Sequence, residues 1–199
     1  MGRLPMIYNL AELRKAYNAG QRLKYLFFWG HTPKTPGAID ASCLSQWWPS
    51  GFVVDETRYS CAEQYMMAEK ARLFGDEEAR VKILQAKHPK QMKAYGREVR
   101  NFDGAVWNRE SYGIVKKASL EKFRQNGELW DFLKKTGNRI LVEASPRDRI
   151  WGIGMDKNDP DVENPVKWRG TNLLGFALSE ARDELIEEEH EDERAKRIE

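Results

Sequence analysis

Glu63 and Lys70 stand seven residues apart in Arg58-Tyr-Ser-Cys-Ala-Glu-Gln-Tyr-Met-Met-Ala-Glu-Lys-Ala71. On an α-helix that separation is about two turns, so the pair returns to nearly the same direction. Met66, Met67 and Phe74 fall on the same face. An acid and an amine in an apolar stripe are costly to bury unless they are paired or used. A carboxylate in such a place can activate water. A lysine there has a lowered pKa and can act as an acid, a phosphate partner or a nucleophile. The local alternative is that Ser60-x-x-Glu63 is a capping box and that Lys70 snorkels to water.

A third ionisable candidate is Asp148, on a turn with Arg147 and Trp151. Carboxylates beside aromatic walls suit glycosidic cleavage, whose transition state resembles an oxocarbenium ion and needs a nearby negative charge and a positioned water. Aromatic rings hold a base or sugar by stacking. Seven tryptophans and seven tyrosines supply such rings. No Ser-His-Asp order is present. His31, His88 and His190 are scattered, and Cys43 and Cys61 form no CxxC pair, so neither a metal nor another cofactor is expected.

The elements that must carry these residues read as α+β, predominantly helical, with a small β-sheet. Residues 9–19 form a short amphipathic helix between Asn9 as cap and Gly20 as stop. Residues 24–29 make a buried aromatic strand that runs into a loop at Gly30-His31, and residues 52–54 a second short strand. The helix bearing Glu63 and Lys70 is followed by helices over 77–86 and 90–95. Asp103 to Trp107 reads as a break before a long helix over 112–126, and a further helix spans 129–136. Residues 139–145 are the strongest strand and discharge into the turn of Asp148 and Trp151. The last core helix covers 173–185. Gly152-Ile-Gly154 alone is too weak a pattern for a phosphate loop.

The net charge of +2 is unevenly spread. Residues 182–199 hold nine acids against four bases, a net of −5, which leaves +7 on the other 181 residues. A basic body is compatible with a phosphorylated ligand or nucleic acid. Lys90, Lys93, Arg97 and Arg100 lie close together, either as a solvated face or as one that meets a phosphate. No signal-peptide pattern opens the chain and no apolar run is long enough for a bilayer, so no membrane is expected and the reducing cytoplasm is the expected compartment.

Several ordered motifs together resemble one family. They are Phe28-Trp29-Gly30-His31, Leu44-Ser45-x-x-Trp48-Pro49-Ser50-x-Phe52, Ala62-Glu63-Gln64-Tyr65-Met-Met-Ala-Glu-Lys70, Phe102-Asp103-x-x-x-Trp107, Glu143-Ala-Ser-Pro-Arg-Asp148-Arg-Ile-Trp151-Gly-Ile-Gly154 and Trp168-Arg-Gly-x-Asn172-Leu-Leu-Gly175. The chain is similar over roughly residues 23–185 to the NADAR family, the YbiA-like N-glycosidases. The resemblance implies a single metal-independent catalytic domain over 23–185. Residues 1–22 are then an extension with a short helix, and residues 186–199 an acidic tail, disordered or frayed helical. It implies catalytic roles for Glu63, Lys70 and Asp148, and substrate-binding or pocket positions at Trp29, Gly30, Trp107, Trp151 and Asn172. Many relatives have His where this chain has Gln64, so an acid-base role at that position is not carried over.

The implied activity is cleavage of the N-glycosidic bond of ribosylamino-pyrimidine phosphates, early riboflavin-pathway intermediates, with release of ribose 5-phosphate. The alternatives are removal of ADP-ribose from guanine in nucleic acid, and a non-catalytic module that binds ADP-ribose or a nucleotide. Oligomeric state is not legible.

Overall fold

Why α2 becomes the hub of its surroundings follows from its composition. Ala62–Leu73 has no exposed stripe over its first two turns: Ala62 through Ala68 are all buried. A helix buried all round must be walled by other elements, and α2 packs against α3 (Glu77–Gln85), α4 (Pro89–Arg97) and α5 (Gly104–Arg124). The sequence reading of a single apolar face is corrected here, because Gln64 and Tyr65 are buried as well.

The structure, a computed structural model, describes residues 6–197. Among them are seven α-helices, one 3-10 helix and four short strands, an α+β and mostly helical architecture. The chain divides into two compact units. One holds the residues up to Trp29 together with those from Phe132 onward, and the other is Gly30–Asp131.

In the first unit, β1 (Tyr25–Phe28) lies parallel to β4 (Ile140–Glu143), with Tyr25 opposite Ile140 and Phe28 opposite Glu143. Parallel strands need a long crossover, and here the whole second unit intervenes in sequence. α7 (Leu173–Lys196) lies against β4. It approaches closely because a Cβ at Gly175 would sit 2.0 Å from the Leu141 carbonyl. α1 (Leu10–Asn18) begins as expected, with the Asn9 side chain accepting from the Glu12 N–H at 2.9 Å, and Gly20 follows it at φ +71°. Its Leu13 and Ala16 are buried, the Tyr8 hydroxyl donates to Asp183, and the Arg14 Nε donates to the Pro165 carbonyl. α7 continues through the acidic stretch to Lys196.

In the second unit, β2 (Phe52–Val54) pairs antiparallel with β3 (Thr57–Tyr59). Asp55 and Glu56 turn the hairpin, both at positive φ (46° and 62°), as a tight primed turn requires. β3 is not apparent in the sequence, because three residues hold strand form only as the second arm of that turn. The break expected at 103–107 is also corrected. The Asp103 carboxylate accepts from the Ala105 and Val106 N–H groups and caps a helix that starts at Gly104, so Trp107 lies on the first turn of α5. α6 (Gly127–Lys135) crosses the division between the units.

Candidate active site

The start of α2 places Glu63. Its N-cap is Cys61, which makes no side-chain cap. The expected Ser60–Glu63 capping box is therefore displaced by one residue: the Gln64 Oε1 accepts from the Ser60 N–H at 2.7 Å and from the Ser60 hydroxyl at 3.0 Å. Gln64 also donates to the Ile83 and Leu84 carbonyls, so a buried polar side chain is fully engaged in joining α2 to α3. The Glu63 N–H donates instead to the Gln46 carbonyl at 2.9 Å, which ties the helix start to the loop after the 3-10 helix η1 (Ala41–Leu44). Glu63 itself is 5% exposed.

Lys70, two turns on, does not snorkel to water. Its Nζ donates to the Gly96 carbonyl at 2.8 Å. That carbonyl is within reach because α4 crosses α2 almost backbone to side chain, and a Cβ on Gly96 would lie 2.1 Å from the Met67 Sδ. The same amine stands 4.3 Å from the centroid of the Phe102 ring and 5.5 Å from that of Trp107. Burial, and then the Arg97 charge, hold the Lys70 amine below the usual lysine range. Phe102 meets Phe74 edge-on at 5.3 Å and leaves about half of its surface, 49%, in solvent. An amine over aromatic rings, one of them half exposed, with its positive form disfavoured, can engage an electron-poor carbon or an anion.

The first unit supplies the other candidates. Past β4, Asp148 organises the turn: its Oδ1 accepts from the N–H groups of Ile150 (2.9 Å), Trp151 (2.8 Å) and Gly152 (3.4 Å). The Asp148 N–H in turn donates to the Ser145 hydroxyl. One carboxylate oxygen is thus committed to shaping the loop that carries Trp151. Asn172 is fully buried in the left-handed conformation, at φ 55°. Its Oδ1 accepts from the Glu143 N–H at 3.0 Å and its Nδ2 donates to the Leu141 carbonyl at 2.9 Å, continuing β4 as a missing strand would. Any part Asn172 takes in a site is therefore through the placement of β4's end, since both polar atoms of its side chain serve the backbone. Its own N–H joins the Gly152 carbonyl, which binds the 169–174 segment to the Asp148 turn. Gly152 and Gly170 permit this closeness: a Cβ on Gly170 would meet the Gly152 carbonyl at 2.3 Å. Trp29, just beyond β1, is 55% exposed, and Gly30, the first residue of the second unit, follows at φ +82°.

The structure brings Lys70 together with Trp107, and Asp148 with Trp151 and Asn172. Two residues escaped sequence reading. Phe102 stood in the sequence only as the first residue of the Phe102-Asp103-x-x-x-Trp107 motif, with no role assigned. Lys122 looks like an ordinary helix lysine, yet it is 1% exposed, and its Nζ donates to the Cys43 carbonyl at 2.6 Å and the Ser45 carbonyl at 2.9 Å. The one available signal was its place between Leu120 and Phe123. Among the described residues no three His, Cys, Asp or Glu side chains converge as a metal site requires. No helix among them is long and apolar enough to cross a membrane.

Comparison with known proteins adds the following. Residues 27–186 match the NADAR domain, and that span includes parts of both units. The chain is 40% identical over 166 residues to N-glycosidase R617 of Acanthamoeba polyphaga mimivirus, which covers 81% of this chain and 96% of that protein. It is 30% identical over 144 residues to riboflavin biosynthesis protein VVA0006 of Vibrio vulnificus, covering 72% of this chain and 35% of that protein. The NMR structure of the Escherichia coli protein YbiA superposes with a TM-score of 0.67 at 25% identity, over 85% of this chain and 90% of that one.

Proposed function

The chain belongs to the NADAR family and is a hydrolase of N-glycosyl bonds; from that premise we propose that its substrate is a ribosylamino-pyrimidine phosphate and its product ribose 5-phosphate. The observation that carries this reading is the Lys70 amine, held over Phe102 and Trp107 with its charged form disfavoured by burial and by Arg97. The similarity to a riboflavin biosynthesis protein supports the pyrimidine as the leaving base.

In the reaction, the bond from the ribose C1 to the exocyclic nitrogen breaks and the nitrogen leaves with a proton. Water or the Lys70 amine adds at C1. If the amine adds, it forms a Schiff base with the opened sugar, which water then hydrolyses. Glu63 or Asp148 takes the proton from water or steadies the oxocarbenium charge. Trp107 stacks on base or sugar.

Purified protein supplied with a ribosylamino-pyrimidine 5′-phosphate should release ribose 5-phosphate. Removing an acid-base group costs at least about 100-fold in rate, so Glu63→Gln or Asp148→Asn should show that loss. Full activity in both folded variants defeats the assignment. Lys70→Met should abolish turnover, and cyanoborohydride with ribose 5-phosphate should leave a reduced adduct on Lys70 if the Schiff-base route operates. Release of ADP-ribose from ADP-ribosylated guanosine, without action on the pyrimidine, would move the function to nucleic-acid repair.

A further inference from the structure

Several bases in the second unit have acidic partners. Arg72 pairs with Glu69, Arg80 with Glu77, Lys82 with Glu78 and Arg100 with Asp76. Lys117 and Arg124 share Glu121. Lys93 and Arg97 on α4, and Lys70 on α2, are among those without one: among the described residues none of the three meets a carboxylate at salt-bridge distance. Positions 93 and 97 are one helical turn apart and share a face of α4. Lys70 joins them through its hydrogen bond to the carbonyl of Gly96, the residue before Arg97. Beside burial, the Arg97 cation holds the Lys70 amine below the usual lysine range.

The surroundings are aromatic. The Lys93 Nζ stands 5.9 Å from the centroid of the Trp47 ring, which His31 meets at 5.5 Å. Lys70 stands over Phe102 and Trp107. Like charges gathered without a counter-ion raise the free energy of the empty protein and lower it when an anion enters. A hydrogen bond between a cationic donor and a phosphate oxygen is about twice as strong as a neutral one.

We propose that Lys93 and Arg97, beside the amine of Lys70, form the subsite for the phosphate of the substrate, with Trp47, Phe102 and Trp107 flanking the sugar. The inference rests on the functional reading above and adds to it a recognition element on α4. The shared chemistry is a phosphate on the ribose C5. It belongs to a simple monoester in ribose 5-phosphate and to a diphosphate in ADP-ribose.

The test is equilibrium binding by calorimetry, which needs no turnover. The probes are ribose 5-phosphate, ADP-ribose and unphosphorylated ribose. Wild type should bind at least one phosphorylated probe and bind ribose far more weakly, with affinity that falls as salt rises. Arg97→Ala and Lys93→Ala should each weaken that binding about tenfold, the loss expected of one charge-assisted contact. Arg97→Lys should restore part of it. Lys87→Ala makes the same charge change outside α4 and should stay within about twofold of wild type. In turnover the two α4 variants should raise KM more than they lower kcat. Equal binding of ribose and ribose 5-phosphate overturns the subsite, as does wild-type affinity in both alanine variants. The preferred phosphorylated probe identifies the source of the phosphate. Phosphate-dependent binding lost in Arg97→Ala, in a protein without activity on ribosylamino-pyrimidines, would leave the subsite standing and reject only the functional reading.

Discussion

Lys122 is a lysine buried whole in the second unit, its amine held by main-chain carbonyls. Burial lowers its amine to about 8. Burial also pushes the Cys43 thiol up to about 12, and Cys61 upward. The folded pKa of Lys122 is below its unfolded value, so the native protein is penalised while the amine is charged, and the penalty is relieved as pH rises through 8. The thiols act oppositely: they stay protonated when folded and so subtract stability above their unfolded pKa near 9. Comparing wild type with Lys122→Met cancels the thiols. From pH 7 to 9 wild type should gain about 1 kcal/mol over the variant in urea unfolding; a constant difference would mean that Lys122 stays charged in the fold. At this scale the sequence was partly readable. Glu63 and Lys70 stood out as ionisable groups among methionines, and both are withdrawn from solvent. Capping spacing misled by one residue, since Ser60 meets Gln64, four residues on, rather than Glu63, three residues on. Lys122 was invisible because its acceptors are main-chain carbonyls about eighty residues away, which no side-chain pattern encodes.

Elements are held in place less by long strands than by side chains that imitate them. Asn172 continues β4, and Gln125 does the same for β2, where its Oε1 accepts from the Val53 N–H and its Nε2 donates to the Val53 carbonyl, each at 2.8 Å. Asn172→Ala removes two hydrogen bonds and leaves the Leu141 carbonyl without that donor. Loss of about 2–4 kcal/mol is expected, given about 1–3 kcal/mol per unsatisfied buried group, together with reduced turnover as the Asp148 turn loosens. Thermal unfolding and rate measured on one preparation check both. Gly175→Ala should be similarly severe, because its methyl would lie against the Leu141 carbonyl and α7 would have to lift off β4. The helices and the principal strands were legible from periodicity and caps. β3 was not, since its existence depends on two left-handed non-glycine residues. The first two turns of α5 were lost because Gly104 reads as a breaker until Asp103 is recognised as its cap.

Across the whole molecule, charge is distributed unequally, and the acidic end of the sequence is mostly α7. Residues 190–197 are exposed, and their neighbourhood is anchored by the ion pair of Lys134 with Glu189. Exposed ion pairs contribute about 0–1 kcal/mol, so a chain ending after Glu189 should unfold within about 1 kcal/mol of the full chain and keep its rate. A larger loss in urea titration would assign the acidic turns a structural part. The two cysteines give another handle. Cys43 is 0% and Cys61 2% exposed, and burial holds both thiols protonated. Only the thiolate attacks a disulfide reagent, so neither should be labelled until the Gly30–Asp131 unit opens. If that opening is cooperative, both sulfurs react at one common rate, set by the opening equilibrium and the intrinsic reactivity of a free thiol. A ligand that binds only the closed form slows labelling by a factor of one plus its concentration over its Kd. The native thiols then act as an internal clock, and ribose 5-phosphate should slow it in wild type far more than in Arg97→Ala.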